Sequence, residues 1–325
     1  MTKYRYNYII IGARGFYEVA YKDIMDIYNV NYFPSYKIGL DNYIDKFLSK
    51  LTFSYKVNKI LKNPFKSYTY KKIYKHTFYN KDNLCFVLFS CNHQIINSSY
   101  LDYLKQTFHN AKLVLFWHDI VKVNKYLNIS YLKDKFDLIL SYDYNDAKKY
   151  GFEYYPTPYS NYTIEDDQNI PFSDIYFAGY AKTRYKKILS IYEQCMNEGL
   201  KCDFYLFRMP SYERLYADNI KYDQPLSYIE NLKHIKRTKC LLEIIQEGAI
   251  GFTPRVWESI MYDKHLLTDN LFVKKSIFYN KNNMHIIKKT NLSDLLSKKV
   301  IYSSVQKEKL SPIHFIQFID KKLKF

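Results

Sequence analysis

Between Glu243 and Asn270 the chain reads EIIQEGAIGFTPRVWESIMYDKHLLTDN, a spacing that suits an anionic ligand. Thr253 can cap a helix that Pro254 opens, because proline at the first helical position gives up only an N–H that has no partner there anyway. Unpaired N–H groups and the positive end of the helix dipole then suit a phosphate. Gly248 and Gly251 just upstream let the backbone come close to a ligand. Arg255 adds a planar, permanently charged fork matched to a diphosphate. Glu258 lies three residues on, one turn deeper on the same face, where a carboxylate accepts hydrogen bonds from ribose hydroxyls. The same residues also describe an ordinary capped helix with an Arg–Glu surface pair.

Such a helix needs a strand before it, and the chain supplies strands and helices in alternation. Apolar runs at Tyr6–Gly12, Cys85–Ser90, Lys112–Trp117 and Asp137–Tyr142 read as strands in the first half. Asp174–Gly179, Lys201–Phe207, Lys239–Ile245 and His265–Thr268 do so in the second. Helical patterns fall between them, such as Tyr144–Tyr150 and Arg184–Glu198, closed by Gly151 and Gly199. The alternation predicts an α/β protein with parallel sheets. It breaks between Tyr155 and Asp174, where three prolines flank Glu165-Asp166-Asp167, so a linker is expected there. A length of 325 residues also suggests two domains. The expected division is 1–160, a linker at 161–173, a second domain at 174–310 and a final helix at 311–325.

The Glu243–Asn270 stretch resembles the nucleotide-sugar-binding part of GT-B glycosyltransferases, especially those that build bacterial capsule, lipopolysaccharide or exopolysaccharide. The resemblance implies two Rossmann-like domains facing a central cleft, with the last helix crossing back to the first domain. It implies a donor site at Gly179, Lys182, Arg184, Glu243, Gln246, Thr253, Arg255 and Glu258. Lys182 and Arg184 follow the first strand of the second domain, where this family's basic side chains reach the donor diphosphate; a solvated helix start is the other reading. Their charge would take the place of a metal on the departing nucleotide, so no metal and no cofactor are expected. Retaining members of the family carry a second Glu eight positions before the ribose-binding one, and Ile250 stands there. For the acceptor side, the first-half strand Lys112–Trp117 ends in His118-Asp119, the expected acid–base pair. His93 is the runner-up, and Asp143 either reaches the site or caps a helix. The implied activity moves a sugar from a nucleotide-sugar donor to a glycan or glycolipid acceptor. The alternatives are a basic nucleic-acid-binding protein and a non-catalytic nucleotide-sugar-binding relative of the fold.

The net charge of +17 is local. From Lys46 to Lys81 there are ten lysines and no Asp or Glu, and from Lys274 to the end twelve lysines meet three acids, so the rest is nearly neutral. The first segment interleaves lysine with Phe and Tyr, which suits an anionic membrane surface through Lys56, Lys59, Lys62, Lys66, Lys71, Lys72 and Lys75. Single-stranded nucleic acid is a less favoured partner, and a merely solvated helix face the bland one. Lys321, Lys322 and Lys324 are expected to join that face.

Other classes are excluded. A hydrophobic fraction of 47% is too high for a disordered chain, and no apolar run approaches the ~18 residues of a membrane span. The Ile9–Ile11 core is too short for a signal peptide. Five scattered cysteines read as core residues in a reducing compartment. The expected location is therefore cytoplasmic, peripheral on the inner face of the membrane. The Gly12-Ala13-Arg14-Gly15 turn lacks the third glycine and remote acid of a dinucleotide fingerprint. No P-loop, G-x-S-x-G, H-E-x-x-H or D-x-D occurs.

Overall fold

Strands covered by helices on both faces require near-continuous apolar sequence, and LCFVLF and KLVLFW are the clearest cases. The computed structural model describes residues 4–35, 40, 42–54, 57, 65–74, 83–96, 98–121, 128–288 and 291–323. The chain divides into two units, Met1–Ser160 with Ser311–Phe325, and Asn161–Leu310.

The first unit runs β1 (Asn7–Ile11), α1 (Phe16–Ala20), α2 (Lys22–Met25), β2 (Val30–Phe33), α3 (Tyr43–Thr52), α4 (Lys66–Tyr74), β3 (Leu84–Phe89), α5 (His93–Ile96), α6 (Tyr100–Thr107), β4 (Lys112–Trp117), α7 (Ile129–Lys135), β5 (Leu138–Ser141), α8 (Tyr144–Tyr150) and β6 (Glu153–Tyr154). Its strands form one parallel sheet ordered β2-β1-β3-β4-β5-β6. The order reverses between β1 and β3, the switch point beside which open α/β sheets hold their ligands. Asn92 ties the two strand ends together there, donating to the carbonyls of Ile11 and Gly12 at 2.9 and 3.0 Å. Gly12 is required at that turn, because a Cβ would overlap the Tyr32 ring.

The second unit runs β7 (Ser173–Tyr180), α9 (Tyr185–Asn197), β8 (Cys202–Phe207), β9 (Lys221–Tyr222), α10 (Tyr228–Lys236), β10 (Thr238–Glu243), α11 (Pro254–Met261), β11 (His265–Thr268), β12 (Met284–Ile286), α12 (Leu292–Leu296) and α13 (Ser304–Glu308). Its parallel sheet is ordered β12-β11-β10-β7-β8-β9, which counted from β7 is the Rossmann order with its switch point between β7 and β10.

The last helix, α14 (Pro312–Lys322), belongs to the first unit. Tyr8 donates to Asp320 at 2.5 Å, Ser311 donates to Asp23 at 2.7 Å, and Phe315 stacks on Phe116. The α/β reading therefore stands, as does the return of the C-terminal helix.

Residues 155–172 form neither helix nor strand, yet they are not a solvated tether. Asp166 and Asp167 pair with Arg237 and Lys233 at 2.9 and 3.0 Å, and Lys236 donates to the Ile164 carbonyl at 2.6 Å. The acidic run thus lies along the basic C-terminal turn of α10, held by ion pairs to cations that the helix dipole itself favours at that end.

Candidate functional site

In the second unit the switch point is closed by side chains. Thr253 caps α11, its hydroxyl accepting from the Arg255 N–H at 3.2 Å and donating to Glu243 at the end of β10. The other Glu243 oxygen accepts from Thr268 at the end of β11. Asn270 then donates to the Gly251 carbonyl at 2.8 Å. Residues 244–252 are therefore braced at both ends by a carboxyl that is 3% exposed. Burial pushes the Glu243 carboxyl up to about 7, against the pull of Thr253 and Thr268; desolvation penalises the charged form.

Glu243, expected at the donor site, thus organises its own loop here. The same holds for the backbone of α11. Pro254 has no N–H, the Arg255 N–H goes to Thr253 Oγ1, and the Val256 N–H goes to the Thr253 carbonyl at 3.1 Å. The first three positions offer no spare donor. What remains at this helix start is its dipole.

Arg255 is likewise occupied. One terminal nitrogen donates to Glu258 at 2.6 Å, and the other donates to the Ala178 carbonyl and Asn231 Oδ1, each at 3.0 Å. Tyr228, the first residue of α10, donates to the second Glu258 oxygen at 2.6 Å. Tyr176 of β7 donates to the same Asn231 oxygen at 3.0 Å and lies under the guanidinium. Arg255, expected at the donor diphosphate, here has a guanidinium that fixes Glu258. Each Glu258 oxygen accepts one of these bonds and keeps a second lone pair, on a side chain that is 2% exposed. Sequence reasoning missed Tyr228, Asn231 and Tyr176. The Ser227–Glu230 capping box that starts α10 was the available signal for the first two.

Across the switch point, Arg184 donates to the Ile244 carbonyl at 2.6 Å and to the Tyr180 carbonyl. It ties the end of β7 to the loop after β10. Gly179 lies close to the Phe177 ring, which a Cβ there would approach to 3.3 Å. Lys182 begins the short turn Lys182–Arg184 after β7, and its side chain lies outside the described residues. Gln246 is exposed at the loop tip. Among the described residues no group of three or more His, Cys, Asp and Glu is placed to hold a metal ion.

In the first unit His118 sits at the end of β4, ringed by Phe116, Phe89 and Tyr17 at 4.0, 4.6 and 5.0 Å between centroids. Both ring nitrogens are buried without a partner, and burial pushes the imidazole down to about 3. In these surroundings His118, expected as a general base, is a weak one, since so low a pKa holds a proton poorly. Asp119 is exposed, and its charge reaches His93, whose imidazole is lowered by burial and raised in part by that charge. Asp143 is a helix cap, accepting from the Asp146 N–H at 2.9 Å.

Of the lysines expected on a membrane face, Lys56, Lys59, Lys62 and Lys75 lie outside the described residues, as does Lys324. Lys66 and Lys71 are on α4. Lys72 pairs with Asp45 at 2.5 Å, and Asp45 is 2% exposed. Lys322 pairs with Glu153 at 2.8 Å.

No protein-family model matches the chain, and no curated protein sequence matches it. Solved structures do. An α-glucosyltransferase in complex with UDP-glucose and DNA containing an abasic site superposes with a TM-score of 0.53 at 12% identity, over 97% of this chain and 93% of that one. A UDP-forming α,α-trehalose-phosphate synthase from Burkholderia xenovorans gives 0.50 at 9% identity, over 98% and 94%. The trehalose-6-phosphate synthase OtsA gives 0.51 at 12% identity, over 92% and 87%. The chain has the GT-B fold. In this GT-B chain the braced loop and Glu258 stand at the carboxyl end of the second unit's sheet, next to its switch point.

Proposed function

We propose that this chain is a glycosyltransferase that takes a sugar from a nucleoside-diphosphate sugar and transfers it to a hydroxyl of a surface glycan, lipid-linked or polysaccharide. The observation that carries the reading is Glu258, a buried carboxylate held from two sides by Arg255 and Tyr228 at the mouth of a Rossmann sheet. Two further features support it: the GT-B fold, and neighbours of that fold that form UDP or hold UDP-glucose. UDP is therefore the first nucleotide to try.

In this reading the ribose hydroxyls donate to Glu258. The diphosphate meets the positive end of α11 and Lys182, with Arg184 and Glu243 keeping the two loops in place. The acceptor oxygen attacks the anomeric carbon as its proton passes to a base, the bond from that carbon to the phosphate oxygen breaks, and the nucleoside diphosphate leaves with the electron pair. Lys182 and the helix dipole offset the negative charge on the leaving group, so the reading needs no metal. Of the two candidate histidines of the first unit, His93 keeps the more usable imidazole, because its lowered pKa leaves it unprotonated at neutral pH.

A second reading, a nucleotide-sugar-binding protein without transferase activity, draws on the internal engagement of Arg184, Glu243 and Arg255. Incubation with a panel of UDP-sugars, scoring release of UDP with and without acceptor, separates the two. Binding without release favours the second reading, and neither binding nor release overturns both.

A further inference from the structure

Helix α3 is built inside out. Asp45, Ser49 and Thr52 are buried, whereas Tyr43, Ile44 and Phe47 are 83%, 66% and 51% exposed. At 3.6 residues per turn, positions 43, 46, 47 and 50 share one side, so the exposed Lys46 and Lys50 flank the apolar side chains.

The polar interior explains the inversion. Tyr68 and Lys72 of α4 donate to Asp45 at 3.0 and 2.5 Å, and the hydroxyls of Thr52 and Thr69 pair at 3.0 Å. Phe53, Tyr70 and Ile73 join the hydrophobic core. The helix pair is thus anchored on one side and presents its apolar side chains on the other. Helix α4 and the residue before it add Phe65, 47% exposed, and Lys71. Among the described residues no ion pair engages Lys46, Lys50, Lys66 or Lys71.

Scattered exposed apolar residues are ordinary, but a cluster on one helix edged by cations marks an interaction surface. We propose that the α3–α4 face docks on an anionic phospholipid bilayer, with Tyr43, Ile44 and Phe47 entering the headgroup boundary and Lys46, Lys50, Lys66 and Lys71 meeting the headgroups. The aliphatic Ile44 favours a bilayer over a single-stranded nucleic acid, whose bases are held chiefly by stacking on rings. Among the described residues of α3 and α4 the only acid, Asp45, is buried, which argues against a basic partner. This surface does not depend on the donor-site reading.

The experiment is co-sedimentation of the full chain with vesicles of phosphatidylcholine, with and without phosphatidylglycerol. The protein pellets with the anionic vesicles only. Ile44→Ser and Phe47→Ser each lower partition about tenfold, as loss of a buried apolar side chain should. Lys46→Gln and Lys50→Gln each lower it about fivefold. All four positions are exposed, so circular dichroism and UDP affinity stay unchanged. In a Phe47→Trp variant, emission shifts to the blue on anionic vesicles, whereas Trp117 and Trp257 are buried and do not respond. No pelleting, pelleting indifferent to these changes, or binding of a single-stranded oligonucleotide through the same residues without vesicle binding would overturn the proposal. Loss of UDP binding in the unaltered chain would sink the donor site and leave this surface standing.

Discussion

Arg255 and Glu258 form a buried ion pair at 2.6 Å, one turn apart on α11, with 15% and 2% of their side chains exposed. The pair orients Glu258 instead of leaving the guanidinium open to a phosphate. Removing one partner of such a pair strands a charge and typically costs about 3–5 kcal/mol, whereas replacing both by apolar groups is often neutral. Arg255→Leu is expected to lower the melting temperature and abolish UDP binding. Combining it with Glu258→Leu is expected to recover stability but not binding. Thermal melts read beside calorimetry separate the two effects, and a double variant that binds UDP as well as the original chain would refute the assignment.

Tyr228 tests the same carboxylate more gently. A hydrogen bond to a charged group contributes about 1.5–3 kcal/mol, so Tyr228→Phe is expected to weaken UDP binding about tenfold or more with little change in fold. Equal affinities would show that Tyr228 merely packs there.

Glu243 gives the second unit a distinct pH dependence. Its folded pKa of about 7 lies above the ordinary 4.5, so the fold prefers the protonated form. Its favourable contribution is complete below about pH 4.5 and is lost as pH rises through 7, by about 3 kcal/mol in all. Glu243→Gln mimics the protonated form. It is expected to flatten stability between pH 5 and 8 (about the span of this titration) and to match or exceed the original chain at the upper end. Denaturant melts across that range check it; an unchanged slope would contradict a raised pKa.

His93 and His118 are told apart by pH–rate profiles. General-base catalysis contributes about 10²–10⁴ in rate, so His93→Asn is expected to lose about that much turnover with UDP affinity intact. The acidic limb of the profile, below 6.5 because burial lowers this imidazole, should vanish with it. His118→Phe places a ring among rings and removes two unpartnered nitrogens. It is expected to leave rate and profile alone and to stabilise the first unit slightly. The opposite pattern would restore His118 as the base.

Much of the fold was legible because buried parallel strands are spelled as unbroken apolar runs: β4 and β11 coincide with their expected ranges, and α8 does so between Asp143 and Gly151. The edge strands β2, β6, β9 and β12 were not. They read VNYF, EY, KY and MHI, too short and too polar to stand out, since an edge strand needs only one neighbour. The helix pair α3–α4 escaped because its apolar pattern points outward.

At the site, residue types were legible but their engagements were not. Arg184 reaches a carbonyl 60 positions away and Arg255 one 77 positions away. His118 reads as a catalytic strand-end histidine until Tyr17 and Phe89, distant in sequence, are seen around it. Local spacing reports which chemistry a side chain can do, and long-range packing decides whether it is available.

The central claim is that Glu258 holds the ribose of a sugar-nucleotide donor, and it is tested most directly by calorimetric titration with UDP and 2′-deoxy-UDP. The unaltered chain is expected to bind UDP more tightly than its deoxy analogue, and Glu258→Ala to lose both the affinity and the preference. UDP binding that is unmoved by Glu258→Ala, or no heat with either nucleotide, would contradict the account.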